Sequence, residues 1–109
     1  MQKKYYNMNS IPPKEVTPGV RGRFVHSEGM TIAWWEIEKD ALLQRHSHVH
    51  EQVVNVIEGT LQLVVDDRTW ILAPGSVMVI PSGVPHEAKG ITFCRVIDAF
   101  YPVREDYKG

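Results

Sequence analysis

The sequence predicts a small all-β protein built as a sandwich or barrel. From residue 20 onward, short stretches rich in Val, Ile, Thr and aromatic residues recur, with almost no helical periodicity. Turn-forming Gly, Pro and Asp residues separate these stretches, as is typical of antiparallel sandwiches and barrels. The chain has 109 residues, which is enough for one domain with its own core. We therefore expect residues 1–109 to form a single domain.

The first part of the chain is predicted to be an irregular lead-in followed by a hairpin. Residues 1–19 contain Asn, Pro and Gly residues that interrupt regular structure, although residues 5–8 have the composition of a short edge strand. The next strand covers residues 21–27, and Glu28-Gly29 is a typical hairpin turn. The strand over residues 30–38 then alternates between two faces.

This second strand carries two tryptophans that the alternation places on opposite faces. Trp35 lies on the apolar face, so we expect it in the core or in a pocket wall. Trp34 shares its face with glutamates, and a subunit interface explains an outward tryptophan better than solvent does. The sequence therefore predicts a homodimer with Trp34 in its interface.

The rest of the chain alternates short strands with turns. The predicted strands cover residues 53–58, 60–65, 68–72, 76–80 and 91–100. The turns between them are expected at Glu58-Gly59, Asp66-Asp67, Ala73-Pro74-Gly75 and Pro81-Ser82-Gly83.

A histidine-rich hairpin over residues 46–52 is the strongest functional signal. Side chains two apart in a strand point the same way, so His46 and His48 share a face. A tight reversal of the chain over residues 49–51 would bring Gln52 back opposite these two histidines. With His86 from a distant strand, three imidazoles and one amide would surround a point, and such ligands bind divalent transition metals. We expect about one such ion per chain.

Two neighbouring residues remain alternative ligands. His50 shares the parity of His46 and His48 and could bind in place of Gln52. Glu51 could supply an acidic ligand if the turn were one residue shorter. Both lie at the expected tip of the hairpin, where side chains usually face solvent. His26 lies in a polar strand and is expected at the surface.

Composition excludes several classes of partner. The formal net charge of −1 gives no electrostatic reason to bind nucleic acid or an anionic membrane. No apolar run reaches membrane-spanning length, and the first residues lack the apolar core of a signal peptide. The single cysteine, Cys94, excludes an intrachain disulfide framework and is expected as a small buried apolar residue. A cytoplasmic location fits this composition.

Two motifs in the chain resemble those of the cupin superfamily. The spacing His46-x-His48, three residues, Gln52, six residues, Gly59 matches the first motif, although its leading glycine is absent and Gln stands where Glu is usual. The second motif is matched in full by Gly75, five residues, Pro81-x-Gly83, two residues and His86. The resemblance implies a cupin domain, a jelly-roll barrel also called a double-stranded β-helix.

The end of the chain is similar to a narrower group, the KdgF-like cupins. Residues 98–107 follow an Asp-x-Phe-x-Pro-x-Arg-Glu-Asp pattern, and that group also has Gln in the first motif. The resemblance implies metal-dependent ring opening of 4,5-unsaturated monouronates from pectin or alginate to linear 4-deoxy-5-keto-uronates. It also implies a substrate that is a small sugar carboxylate.

Three residues of this tail are predicted to act on the substrate. Asp98 and Phe100 share the alternating face of Cys94, which we expect to look into the barrel. Asp98 would serve as general acid and base, with a carboxylate satisfied by backbone amides as the alternative. Arg104 would hold the substrate carboxylate, or else form a surface ion pair with Glu105 or Asp106. Phe100 would be a pocket wall or a plain core residue.

Two other functions remain open for such a site. Small cupins with three histidines also activate oxygen, so an Fe(II) dioxygenase is the alternative enzyme. A cupin that binds a sugar or metabolite without catalysis is the third possibility. The ligand types suit zinc, nickel, manganese and iron alike.

Overall fold

The computed structural model describes residues 4–108, which fold into two antiparallel sheets packed face to face. This part of the chain contains ten strands. They are β1 Lys14–Thr17, β2 Val20–His26, β3 Thr31–Ile37, β4 Leu42–His46, β5 Glu51–Glu58, β6 Leu61–Val65, β7 Arg68–Leu72, β8 Val77–Ile80, β9 His86–Gly90 and β10 Cys94–Tyr101. Short 3₁₀ turns, Met8–Ser10 and Glu105–Tyr107, flank them. Residues 4–108 contain no helix that is long and apolar enough to cross a membrane.

The order of strands shows the jelly-roll arrangement that the motifs imply. One sheet has the order β1-β2-β3-β10-β5-β8 and the other has the order β4-β9-β6-β7. The chain therefore crosses between the sheets after β3, and at most later connections. Residues 46–52, predicted as a hairpin, are one of these crossings: β4 and β5 belong to different sheets and do not pair. The predicted all-β fold is confirmed, but the prediction of a hairpin over residues 46–52 is wrong.

The core lies between the two inner faces. The alternation predicted for β3 is confirmed, because Ala33, Trp35 and Ile37 are buried while Trp34 is 36% exposed. Facing side chains from the smaller sheet include Leu61 and Leu63, both buried. Burial of each large aliphatic or aromatic side chain contributes roughly 2 kcal/mol before its entropy is counted. Cys94 is fully buried, as expected.

The structure corrects the predicted lead-in. β1 lies within the stretch that was expected to be irregular, where it pairs with β2 as an edge strand. The possible edge strand over residues 5–8 is absent from the described chain: residues 4–7 have no regular structure, and Met8 begins a 3₁₀ turn. The Asn7 side chain accepts a hydrogen bond from the Asn9 backbone at 3.0 Å, and this local bond competes with strand pairing.

The structure also contains β9, which the sequence did not indicate. Its residues include Ala, Lys and Gly, which are poor strand formers, but β9 pairs with both β4 and β6. These hydrogen bonds on two sides override the weak local preference. A Cβ at Gly90 would lie 2.6 Å from the Glu38 carbonyl oxygen, so glycine is needed for this close approach. The last strand consequently begins at Cys94 rather than at residue 91.

The predicted turn at Glu58-Gly59 has a clear steric basis. Gly59 has a φ of +83°, and a Cβ at this position would collide with the Phe93 carbonyl oxygen. A glycine is therefore required where the chain leaves β5 for the second sheet. This residue is the last one in the first sequence motif.

The outer face of the larger sheet carries apolar side chains. Trp34 lies in register between Arg23 and Ile97, and Ile32 lies in the next row beside Ala99. Val77 and Val79 of β8 are more than half exposed. The homodimer through Trp34 stays a prediction, and this face is where it would form.

Trp34→Glu is expected to convert a dimer into a monomer, because it would place a charge in a desolvated interface. The control is Ile71→Glu, since Ile71 is 60% exposed on the other sheet. Sedimentation velocity at roughly tens of micromolar, where a specific interface should hold, distinguishes the two states. A monomeric wild type would contradict the prediction.

Candidate metal centre and pocket

A pocket opens between the two sheets, at the end where β4 stops and β5 and β9 begin. The empty space in and around it is about 490 Å³, which includes open solvent at its mouth. Both sheets and the C-terminal segment supply its walls. The polar side chains in the lining are those of His46, Gln52, His86, Asp98, Arg104 and Tyr107, with the indole of Trp35. The metal and substrate residues predicted from the sequence thus largely share one cavity.

Three imidazoles converge beside this pocket, and those of His46 and His86 line it. His46 ends β4 and is paired in register with His86, the first residue of β9. His48 lies beyond the end of β4, in the crossing to β5. One ring nitrogen from each of the three lies within 4.8 Å of the others. The described residues therefore contain a group of three histidines that could hold one metal ion.

The backbone fixes which nitrogen of each ring faces the common point. In each ring Nδ1 donates a hydrogen bond to a main-chain carbonyl, so Nε2 carries the lone pair. The carbonyl acceptors of His46, His48 and His86 belong to Gln44, His50 and Val84, at 2.8, 2.9 and 2.9 Å. Such bonds set the tautomer and orientation of a metal-binding histidine before any ion arrives.

Two acceptor atoms face each other at the centre of this group. The Nε2 of His48 lies 3.1 Å from Oε1 of Gln52. Burial is the main cause that lowers the pKa of His48 to about 4, so the ring carries no second proton near neutral pH. The Nε2 of His86 is also buried and has no hydrogen-bond partner. Three imidazole nitrogens and an amide oxygen that lack a donor fit a divalent cation between them.

The alternative ligands lie outside this group. The ring of His50 packs edge-on against His48 and Phe100, with centroids 5.3 and 6.5 Å apart. Its carbonyl, rather than its imidazole, serves the site by orienting His48. Glu51 is exposed at the start of β5, where alternation turns it away from Gln52.

Asp98 lies beside the histidine group on the inner face of β10. Its Oδ2 accepts hydrogen bonds from the Gln52 amide at 2.8 Å and the Trp35 indole at 3.1 Å. Its Oδ1 is buried and has no hydrogen-bond partner. Burial raises the pKa of Asp98 to about 7, and the two donated hydrogen bonds offset only part of that effect. The carboxyl is therefore held by side chains instead of backbone amides, and it exchanges protons near neutral pH.

Arg104 also lines this pocket. Its side chain is only 7% exposed, whereas that of its partner Asp106 is 57% exposed. The guanidinium carbon lies 4.6 Å from the Phe100 ring centre and 4.1 Å from that of Tyr107. The ion pair with Asp106 that the sequence allowed is present, but the arginine is buried at the pocket rather than on the surface. Phe100 is both buried and part of the pocket wall.

A buried hydroxyl anchors this segment to the sheet. The backbone N–H of Arg104 donates to Oγ1 of Thr31 at 2.9 Å. That hydroxyl in turn is hydrogen-bonded to Nδ1 of His26 at 2.8 Å. His26, expected at the surface, is therefore partly buried and hydrogen-bonded.

Sequence reasoning assigned no role to Tyr107 and indicated Asp106 only as a possible surface partner of Arg104. Tyr107 stacks on Phe24 at 4.5 Å and closes the pocket beside Trp35. Asp106 accepts hydrogen bonds from Arg104, at 3.0 Å from Nε and at 2.7 Å from Nη2. The available signal was the position of these two residues, an acid and an aromatic within three residues after the candidate substrate-binding arginine.

His48→Ala is expected to lose most of the bound metal, because it removes one of three convergent nitrogens. His50→Ala is the matched control, since it keeps the carbonyl that orients His48. Zinc content after dialysis, measured by elemental analysis, should be about one per chain for wild type and the control. Full occupancy in His48→Ala would rule out this ligand set.

Asp98 is expected to make the metal-free protein less stable as pH rises. Its pKa is about 7 in the fold against 3.8 as the ordinary value, so the folded state favours the protonated form. The stabilisation is complete below about 4 and is lost as pH rises towards about 7. Asp98→Asn should remove this slope. Denaturant unfolding of both proteins across that range measures it, and parallel pH profiles would contradict it.

Comparison with known proteins places these features in a family. A family model described as a cupin domain matches residues 33–100, which is more than half the chain. An uncharacterised protein of Streptomyces coelicolor is 26% identical over 81 residues, covering 73% of this chain and 77% of that protein.

Solved structures of similar fold include proteins with different chemistry. KdgF from Halomonas sp. superposes with a TM-score of 0.92 at 23% identity, covering 97% of this chain and 99% of that one. An RmlC-like cupin from Shewanella frigidimarina gives 0.91 at 25% identity, covering 97% and 96%. The polyketide cyclase RemF from Streptomyces resistomycificus gives 0.80 at 22% identity, covering 92% and 80%. Salicylate 1,2-dioxygenase from Pseudoaminobacter salicylatoxidans gives 0.77 at 20% identity, covering 82% of this chain and 26% of that one. With the family match, the jelly-roll topology and the histidine group, the chain belongs to the cupin family.

Proposed function

We propose that this cupin is an enzyme that opens the ring of 4,5-unsaturated monouronates from pectin or alginate and yields linear 4-deoxy-5-keto-uronates. One observation carries the proposal. A buried carboxyl with an unpartnered oxygen shares one pocket with a buried arginine and with His46, His86 and Gln52 of the candidate metal centre. The likeness of fold to KdgF supports this choice among the reactions of cupins.

The metal would be held by His46, His48, His86 and Gln52. All four ligands are neutral, so a bound divalent ion keeps its full charge and supplies Lewis-acid stabilisation of negative charge on oxygen. The buried Nε2 of His86 and the facing pair His48 and Gln52 are the features that fit such an ion. Ligand type leaves zinc, nickel, manganese and iron open.

The reaction needs one acid–base group and no second substrate. Ring opening moves one proton from the hemiacetal hydroxyl to ring carbon 4, while the bond between carbon 1 and the ring oxygen breaks. Carbon 1 becomes an aldehyde and carbon 5 a ketone, so atoms and electrons balance. Asp98 suits both transfers, because a carboxyl with a pKa of about 7 accepts and returns a proton near neutral pH.

The hydrogen bonds to Asp98 use one of its two carboxyl oxygens and leave the other free. Trp35 and Gln52 both donate to Oδ2, and this leaves Oδ1 without a protein partner. Oδ1 is therefore the atom we assign to the proton transfers. In the same pocket, Arg104 would bind the sugar carboxylate, and Phe100 would pack against the ring of the sugar.

An oxygen-using Fe(II) enzyme is the second candidate. Three imidazoles without an acidic ligand are compatible with it, and a dioxygenase is among the proteins of similar fold. Oxygen uptake would favour this candidate. Tight uronate binding without turnover would instead favour a non-catalytic binding protein.

Asp98→Asn is expected to lower turnover roughly 100-fold or more, because it keeps the shape but removes the base. Asp67→Asn is the matched control, since Asp67 is exposed in the β6–β7 turn. Arg104→Ala should mainly raise KM through loss of the carboxylate contact. The assay follows loss of ultraviolet absorbance from the conjugated double bond of freshly generated unsaturated monouronate.

Two results would overturn this function. The first is a metal-loaded wild type that does not accelerate the loss of absorbance. The second is wild-type turnover in both Asp98→Asn and Arg104→Ala while each variant is folded and metal-loaded.

A further inference from the structure

We infer that Asp106 is a positioning residue that orients Arg104 for a carboxylate in the pocket. Asp106 holds one edge of the guanidinium and thereby turns the other edge towards the cavity. The inference rests on the proposed function to the extent that Arg104 meets the carboxylate of the sugar. It adds a residue that makes no contact with substrate itself.

The aromatic rings hold the guanidinium in place but do not decide which of its edges faces the cavity. Arg104 lies against the faces of Phe100 and Tyr107, at 4.6 and 4.1 Å from their centres. Tyr107 is in turn held by its stack on Phe24. Cation–π attraction depends on the distance of the charge from the ring faces, so it does not select the edge of the guanidinium that points into the cavity.

The ion pair removes this remaining freedom. Nε donates to Oδ1 of Asp106 at 3.0 Å, and Nη2 donates to Oδ2 at 2.7 Å. This parallel pair of bonds occupies the side edge of the guanidinium, and it fixes rotation as a single bond could not. This ion pair does not use the end edge, which has the hydrogens of Nη1 and the outer one of Nη2, and in this arrangement the end edge would meet the second carboxylate. Five donors in a rigid fork allow both contacts at once.

Exposure shows which partner is fixed and which is accessible. The Arg104 side chain is nearly buried, whereas Asp106 is more than half exposed on the 3₁₀ turn Glu105–Tyr107. Arg104 lines the pocket, and Asp106 reaches it from the outside. The arginine lowers the pKa of Asp106, which is therefore ionised when substrate arrives. A carboxylate that enters the pocket thus meets an arginine already turned towards it.

The test measures binding of D-galacturonate and its methyl ester to zinc-loaded protein by calorimetry. Wild type should prefer the acid to the neutral ester. Asp106→Ala should lower affinity for the acid roughly tenfold and leave the ester unchanged, because the lost orientation matters only to a carboxylate. Glu105→Gln is the matched control: Glu105 lies in the same turn but pairs with Lys108 at 3.2 Å. With unsaturated uronate, Asp106→Ala should raise KM and leave kcat nearly constant.

Two outcomes overturn the inference. An equal loss for acid and ester would mean that Asp106 only supports the local fold. A gain for the acid would mean that Asp106 competes with substrate for Arg104. If Asp106→Ala does not fold, Asp106→Asn decides, since it keeps one acceptor and should still lose part of the preference for the acid.

The same data separate this inference from the proposed reaction. A wild type that prefers the acid, loses that preference in Asp106→Ala and yet has no turnover would leave the inference standing and overturn the reaction. Normal turnover with an unchanged preference in the variant would do the reverse. A wild type without any preference for the acid overturns the inference.

Discussion

The amide of Gln52 joins the two halves of this site. Its oxygen faces the free nitrogen of His48 at 3.1 Å, and its nitrogen donates to Asp98 at 2.8 Å. Because the two ends of an amide differ, each bond fixes the direction of the other. A glutamate at this position, as the motif usually has, would place a second carboxylate against Asp98 and raise the cost of ionising either group. Glutamine is thus what allows a metal ligand to touch a buried acid directly.

The two sheets contribute different chemistry to the pocket. The larger sheet supplies the acid and its donors, since Val54 is opposite Asp98 in register and Gln52 lies diagonally across from it. Trp35 occupies the matching diagonal on the other side. The smaller sheet supplies His46 and His86 as a directly paired couple. Only when the sheets pack together do the imidazoles and the carboxyl reach one another, so the site depends on the closed sandwich.

The sequence predicts those parts of the fold and site that follow from short-range pattern. Alternation placed Trp35 inward and Trp34 outward, and motif spacing brought His46, His48 and His86 to one point. Short-range pattern could not reveal β9, because its residues are weak strand formers and the strand is held by pairing with a neighbour on each side. Nor could it give the bond between Trp35 and Asp98, which depends on the register of strands 63 residues apart. The ion pair between Asp106 and Arg104 was also not predictable in its buried form, because it depends on the 3₁₀ turn Glu105–Tyr107.

The most direct test is a crystal structure of the zinc-loaded protein with bound D-galacturonate. We expect a metal bonded to Nε2 of the three histidines and to Oε1 of Gln52. We also expect the sugar carboxylate on the end edge of Arg104 and the sugar ring facing Oδ1 of Asp98. Metal density away from Gln52, or a sugar whose carboxylate points away from Arg104, would contradict these expectations.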